Sequence, residues 1–290
     1  MTDPHDAPVP GPEGAPPARA LRLKAVGCDV LARPLYACAA ASPHVVDVGL
    51  LRRGLHDTPA SLRDRLQAEI DAAGNGDRPF DAVVLAYGLC GGATAGIRAH
   101  GVPLVLPRAH DCITLLLGSR ERYARELAAT PGTYWYAPDY VERSDPATDA
   151  ASRALLGIGA SSDEQLVAVY ADYVERFGKD NADYLMEVMG AWKAHYQRAV
   201  FIDTGLGDPA RVEALARAEA ERRGWLFERM VGQLDLLRRL LAGDWDHDFL
   251  VLRPGQELGM TYDEDVMRTV DTRDPSGVVA QPDPSDGPAR

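Results

Sequence analysis

The chain has 290 residues, 46% of them hydrophobic and 26% charged, which is enough for a globular core without staples. A formal charge of -12 and a pI near 5.0 exclude an extended basic face for nucleic acid and disfavour anionic membranes. No apolar run reaches the roughly 20 residues that span a bilayer and residues 1–20 hold no signal-peptide core, so the expectation is a cytoplasmic protein in which clustered cysteines, among the four present, serve metal binding or catalysis rather than disulfides.

Residues 1–19 are rich in Pro, Gly, Ala and Asp and are predicted to be a disordered leader, as are residues 271–290 at the other end. An apolar run at 21–26 predicts a first strand ending in the loop Gly27-Cys28-Asp29, and helical spacing follows over 29–41, with Cys38 on its apolar side as a small buried hydrophobe. A second strand is predicted over 45–51. It leads to His56, placed just before a helix in which Pro59 opens the first turn and Leu62, Leu66 and Ile70 share a face.

Residues 82–86 and 102–106 are short apolar runs of the kind that form buried parallel strands. The first leads to Tyr87-Gly88-Leu89-Cys90-Gly91-Gly92 and then a short predicted helix over 94–100; the second leads to Pro107-Arg108-Ala109-His110-Asp111-Cys112 and one long predicted helix over 112–129. A strand is predicted over 133–136, where the aromatics read as core or pocket lining, then a linker over 142–159 and helices over 163–177 and 181–196. The last part alternates again: strand 199–203, helix 209–223, strand 225–229, helix 233–241 and strand 249–252. The predicted fold class is therefore α/β, with parallel sheet or sheets flanked by helices on both faces, organised as similar α/β halves at 20–145 and 146–270.

In such a sheet the strand-to-helix loops gather at the carboxyl edge, where ligands bind. Cys28, Cys90 and Cys112 all fall there. With His110, or with His56 as the alternate ligand, they make a candidate donor set for zinc or an iron-sulfur cluster. A second reading takes Cys90 or Cys112 as a metal-free nucleophile at a helix N-terminus with His110 as base, and a third takes all three as buried structural thiols. Gly88, Gly91 and Gly92 suit a backbone that approaches a cofactor closely, although the Walker and dinucleotide patterns are absent. Arg108 and Arg253 are candidate binders of a carboxylate or phosphate, while Asp203, Asp29, Asp111 and Glu257 are placed to orient a ligand or move a proton.

The His110-x-Cys112 pair matches the zinc-binding pair of cobamide-dependent thiol methyltransferases, although in those enzymes the remaining cysteine follows the pair, and here Cys28 and Cys90 precede it. A closer likeness is carried by Leu55-His56-Asp57-Thr58-Pro59, Tyr87-Gly88-Leu89-Cys90-Gly91, the segment from Pro107 to Thr114, Leu117-Gly118-Ser119-Arg120 and Thr133-Tyr134-Trp135-Tyr136. Through these the chain, over roughly residues 21–257, resembles a prokaryotic family called domain of unknown function 1638. The resemblance implies a context of anaerobes and of methylamine or corrinoid methyl transfer, with a corrinoid protein as a candidate partner. The combined expectation is a metal- or cluster-dependent enzyme acting on a small polar molecule, an anionic group of which Arg108 binds, by methyl transfer or by sulfur or carbon-heteroatom lyase chemistry, with Asp111, His110 and His56 in catalysis. Its competitors are a metal or corrinoid carrier and a cysteine-nucleophile enzyme.

Overall fold

The computed structural model describes residues 19–53, 55, 59–74, 79–143, 196–261 and 263–271, together with residues 171, 174 and 179. His56 and nearly all of the predicted helices over 163–177 and 181–196, of the linker over 142–159 and of the two predicted disordered ends lie outside the described residues.

Four strands, β1 (Arg22–Cys28), β2 (Val45–Leu51), β3 (Ala82–Ala86) and β4 (Leu104–Pro107), run parallel in the order β2-β1-β3-β4. β3 and β4 are wholly buried, as continuous apolar runs in the middle of a parallel sheet should be. Alternate residues of these strands feed opposite faces. Val84, Ala86 and Val105 pack with α1 (Ala32–Ala40), α3 (Cys112–Leu117) and α7 (Asp235–Ala242), whereas Val83, Leu85, Leu104 and Leu106 pack with α2 (Pro59–Gly74) through Leu62, Leu66 and Ile70.

A second, three-stranded parallel sheet runs in the order β5 (Thr133–Tyr136), β6 (Arg198–Asp203), β7 (Leu226–Val231). One face carries α6 (Pro209–Arg223) on Tyr134, Tyr136 and Phe201; the other, through Val200, Ile202 and Met230, joins the core of the first sheet. The class is thus mixed α/β with sheets flanked by helices.

The sheets do not follow chain order. β8 (Phe249–Leu252) returns to the first sheet and lies antiparallel to β4, and a hairpin of β9 (Gln256–Met260) and β10 (Met267–Asp271) follows it. No helix among the described residues is long and apolar enough to cross a membrane.

Two predicted helices are corrected. The run over 112–129 is broken into α3 and α4 (Arg120–Ala129): Gly118 adopts φ 75 as the left-handed cap of the first, and the Ser119 side chain accepts from the amide of Arg122 to cap the second. Residues 90–96 form turns rather than leading into a helix over 94–100. The Gly96 amide donates to Leu258 and Arg98 bridges to Glu257, so this segment spends its backbone groups on β9.

Candidate functional site

Three loops at the carboxyl edge of the first sheet converge. β1 ends at Cys28, which opens a single 3-10 turn over Asp29–Leu31. Beyond β3 and β4 the chain stays paired after the strands stop: Leu89 donates to the carbonyl of Ala109 and Cys90 to that of His110, each at 2.9 Å. Gly88 makes this approach feasible, because a Cβ there would lie 2.6 Å from the Asp111 nitrogen and 2.7 Å from the Ala109 oxygen. The turn then takes Cys90 through φ 48, one of only two positive-φ residues other than glycine among the described residues. Asp111 caps α3, accepting from the amides of Ile113 at 3.0 Å and Thr114 at 3.3 Å, and Cys112 begins the helix.

These loops wall a cavity of about 340 Å³. On one side stand Cys28, Tyr87, Cys90, Gly91, Asp111 and Cys112; facing them are Tyr134 and Trp135 of β5, Tyr140 of α5 (Pro138–Glu142), Tyr196, and the arginines Arg52 and Arg53 that follow β2. Arg53 is buried, its guanidinium 4.3 Å above the Tyr140 ring and donating to the Tyr140 carbonyl at 2.6 Å. That positive charge acts on Cys28 and on Tyr134.

Burial dominates the titration of the site. It pushes the Cys28 thiol up to about 12 and the Cys90 thiol up to about 11, and raises Cys112 as well, with nearby acids and the other thiols adding to it. No helix follows Cys90, so no helix dipole offsets this. Burial also raises the Asp111 carboxyl, although the Thr114 amide, the Tyr123 hydroxyl at 3.1 Å and the Ile113 amide hold it back. All three thiols rest protonated near neutral pH, beside an unusually basic carboxylate.

The other expected residues lie elsewhere. The His110 side chain is exposed outside the cavity, its ring 6.0 Å from that of Tyr123. Arg108 donates to the carbonyls of Asp265 and Met267 and so ties the β9–β10 hairpin to the sheet. Asp203, at the end of β6, pairs with Arg229 and accepts from the Gly205 amide at 2.8 Å. Of the three glycines only Gly91 lines the cavity; Gly88 packs on the loop after β4, and Gly92 faces Met260. Cys38 is buried in the core, and no disulfide links any of the four cysteines.

The expected zinc or iron-sulfur centre is corrected. Among the described residues, the one group of three or more His, Cys, Asp or Glu whose donor atoms all lie within 4.8 Å of one another is Asp246, His247 and Asp248; Cys28, Cys90, Cys112 and His110 form no such group. Neighbouring strands are about 4.8 Å apart, so β1 and β4, on either side of β3, present their ends about 10 Å apart, and their thiols share a cavity without converging on one point. Metal-dependent methyl-transfer or lyase chemistry at the cysteines falls with that centre. The Asp246, His247, Asp248 group is a candidate cation cluster of a different kind, on the loop before β8 and away from the cavity. Arg239 already pairs with both of its carboxylates, and a cation would have to displace that guanidinium.

Residues 50–241 match the profile of a family described as protein of unknown function (DUF1638). The chain belongs to this family. The matched span contains Tyr87, Cys90, Asp111, Cys112 and the aromatic and arginine wall, and leaves out Cys28. No curated protein and no solved structure matches the chain. The family description assigns no chemistry, so function is argued from the cavity.

The sequence carries one further signal of this site. Gly88-x-Cys90-x-Gly92 has the spacing of the nucleophile elbow, in which a sharp turn after a strand exposes a reactive side chain at positive φ. Here the turn is present and the usual following helix is not. The arginines and Tyr140 carried no such signal, because they reach the cavity from the loop after β2 and from α5.

Proposed function

We propose that this member of the DUF1638 family is a cysteine-nucleophile enzyme acting on a small anionic molecule, with Cys90 as the attacking thiol. The observation that carries the reading is the turn itself: a non-glycine residue held at φ 48, in the wall of a cavity of about 340 Å³, next to a carboxylate of raised basicity. Strained backbone of this kind costs about 1–3 kcal/mol and concentrates at functional sites.

The roles follow from position. Cys90 Sγ forms the new bond to the electrophilic carbon, and its proton passes to Asp111, whose charge already acts on that thiol. The leaving group departs with the bonding pair and takes the proton back from Asp111. Arg52 and Arg53 attract the anionic end of the molecule, and Trp135, Tyr140 and Tyr196 cover its apolar part. Cys28 and Cys112 complete the wall.

The test is a single-turnover assay with 4-nitrophenyl acetate followed by peptide mapping. The expected result is one equivalent of nitrophenolate per chain and an acyl group on Cys90, lost in Cys90→Ser and kept in Cys28→Ser and Cys112→Ser. An acyl group on Cys28 or Cys112 instead, or none at all, contradicts the reading.

A further inference from the structure

Tyr87 is the first residue after β3 and three positions before Cys90, and its side chain is 2% exposed. Its hydroxyl is buried and has no hydrogen-bond partner among the described residues. Native proteins pair nearly all such groups, and leaving one unpaired costs about 1–3 kcal/mol. Tyr87 belongs to the same hydrophobic core as Leu62 and Leu85, and it lines the cavity together with Cys28, Cys90 and Cys112. Three other orphaned hydroxyls, on Thr114, Tyr136 and Thr261, belong to residues that do not line the cavity.

We propose that the Tyr87 hydroxyl is the donor that binds the acyl oxygen of the substrate beside Cys90, which makes the substrate an anionic carbonyl compound with an activated acyl group, an ester or thioester. This rests on Cys90 being the nucleophile. Attack of Cys90 Sγ on the carbonyl carbon forms the carbon–sulfur bond and moves the π pair onto oxygen, while the thiol proton goes to Asp111. The resulting oxyanion accepts the Tyr87 hydrogen bond; its collapse re-forms the carbonyl and expels the alkoxide or thiolate, which takes the proton from Asp111. Water or an acceptor nucleophile then bonds to the acyl carbon, the carbon–sulfur bond breaks with its electron pair going to sulfur, and the proton lost by the nucleophile returns to Cys90 Sγ. Burial and the neighbouring thiols raise the Tyr87 hydroxyl well above its ordinary value, so it remains a donor throughout the physiological range.

The experiment compares Tyr87→Phe with the wild-type full chain in two reactions at Cys90, each followed by peptide mapping: acylation by 4-nitrophenyl acetate, and alkylation by allyl bromide, which has no oxygen and develops no oxyanion. Removing one such donor typically slows the acyl step by about 100-fold or more. The expected result is therefore a roughly 100-fold slower acylation with allylation unchanged within twofold, and a melting temperature equal to or above wild type, because phenylalanine leaves no buried hydroxyl unpaired. Equal slowing of both reactions means that Tyr87 only shapes the cavity, and unchanged acylation means that it contacts no reacting oxygen; either overturns the proposal while leaving Cys90 as nucleophile. Failure of wild-type Cys90 to acylate removes both readings together.

Discussion

The amide of Cys90 donates to the carbonyl of His110 at 2.9 Å, four residues past the end of β3 and three past the end of β4. This bond fixes the Cys90 turn to the loop that carries Asp111, so thiol and carboxylate are held as one unit. Gly88→Ala should separate them, since the added Cβ meets backbone atoms at 2.6 to 2.7 Å and backbone cannot swing aside. We expect a loss of about 2 kcal/mol in urea unfolding, the usual scale of overpacking, together with loss of Cys90 acylation. Wild-type stability in this variant would show that the two loops are not in contact.

The turn at Cys90 should store energy. A left-handed conformation costs a side-chain-bearing residue roughly 1–2 kcal/mol, which glycine does not incur. Cys90→Gly should therefore be about 1 kcal/mol more stable than Cys90→Ala, measured by urea denaturation, and equal stabilities would place residue 90 outside that region.

Asp111 caps α3 and in the proposed reaction also takes the thiol proton, and the two roles separate by substitution. Asparagine caps helices as well as aspartate does, so Asp111→Asn should unfold within a few tenths of a kcal/mol of wild type while acylation slows by about 100-fold, the scale of general base catalysis. Asp111→Ala should lose about 1 kcal/mol of stability in addition. Undiminished acylation in Asp111→Asn would assign the proton to another group.

The thiols predict alkaline lability. Cys90 is pushed up to about 11 and Cys28 to about 12, from an ordinary value of 9.0, so the folded chain keeps protons that the unfolded chain gives up. Their contribution to stability is fully present below about pH 9 and is lost as pH rises through 11 to 12. Urea midpoints should be flat from pH 7 to 9 and then fall, with a shallower fall in Cys28→Ala. An equally steep fall in that variant would mean that the Cys28 thiol is not sheltered.

Much of this was legible in the sequence. The buried runs of β3 and β4 and the alternation of strand and helix placed Cys28, Cys90 and Cys112 on one edge, because strand ends follow from pattern alone. Whether three thiols meet at one point depends on side-chain direction and on the spacing of β1 from β4, which pattern does not encode. The break at Gly118 and Ser119 was readable as a cap followed by a cap, and apolar periodicity across it obscured the signal. Arg53 and Tyr140 meet only because β5 starts a second sheet that packs against the first, a relationship set by tertiary contacts.

The central claim is that Cys90 is a nucleophile in an anion-attracting cavity. The most direct measurement is the ratio of iodoacetate to iodoacetamide labelling rates at each cysteine, resolved by peptide mapping, in wild type and in Arg53→Met. Both reagents need the same thiolate, so the ratio cancels its low abundance and reports the local charge. The expected ratio at Cys90 is above that of free cysteine and falls toward it in Arg53→Met. A wild-type ratio at Cys90 equal to or below that of free cysteine would contradict it.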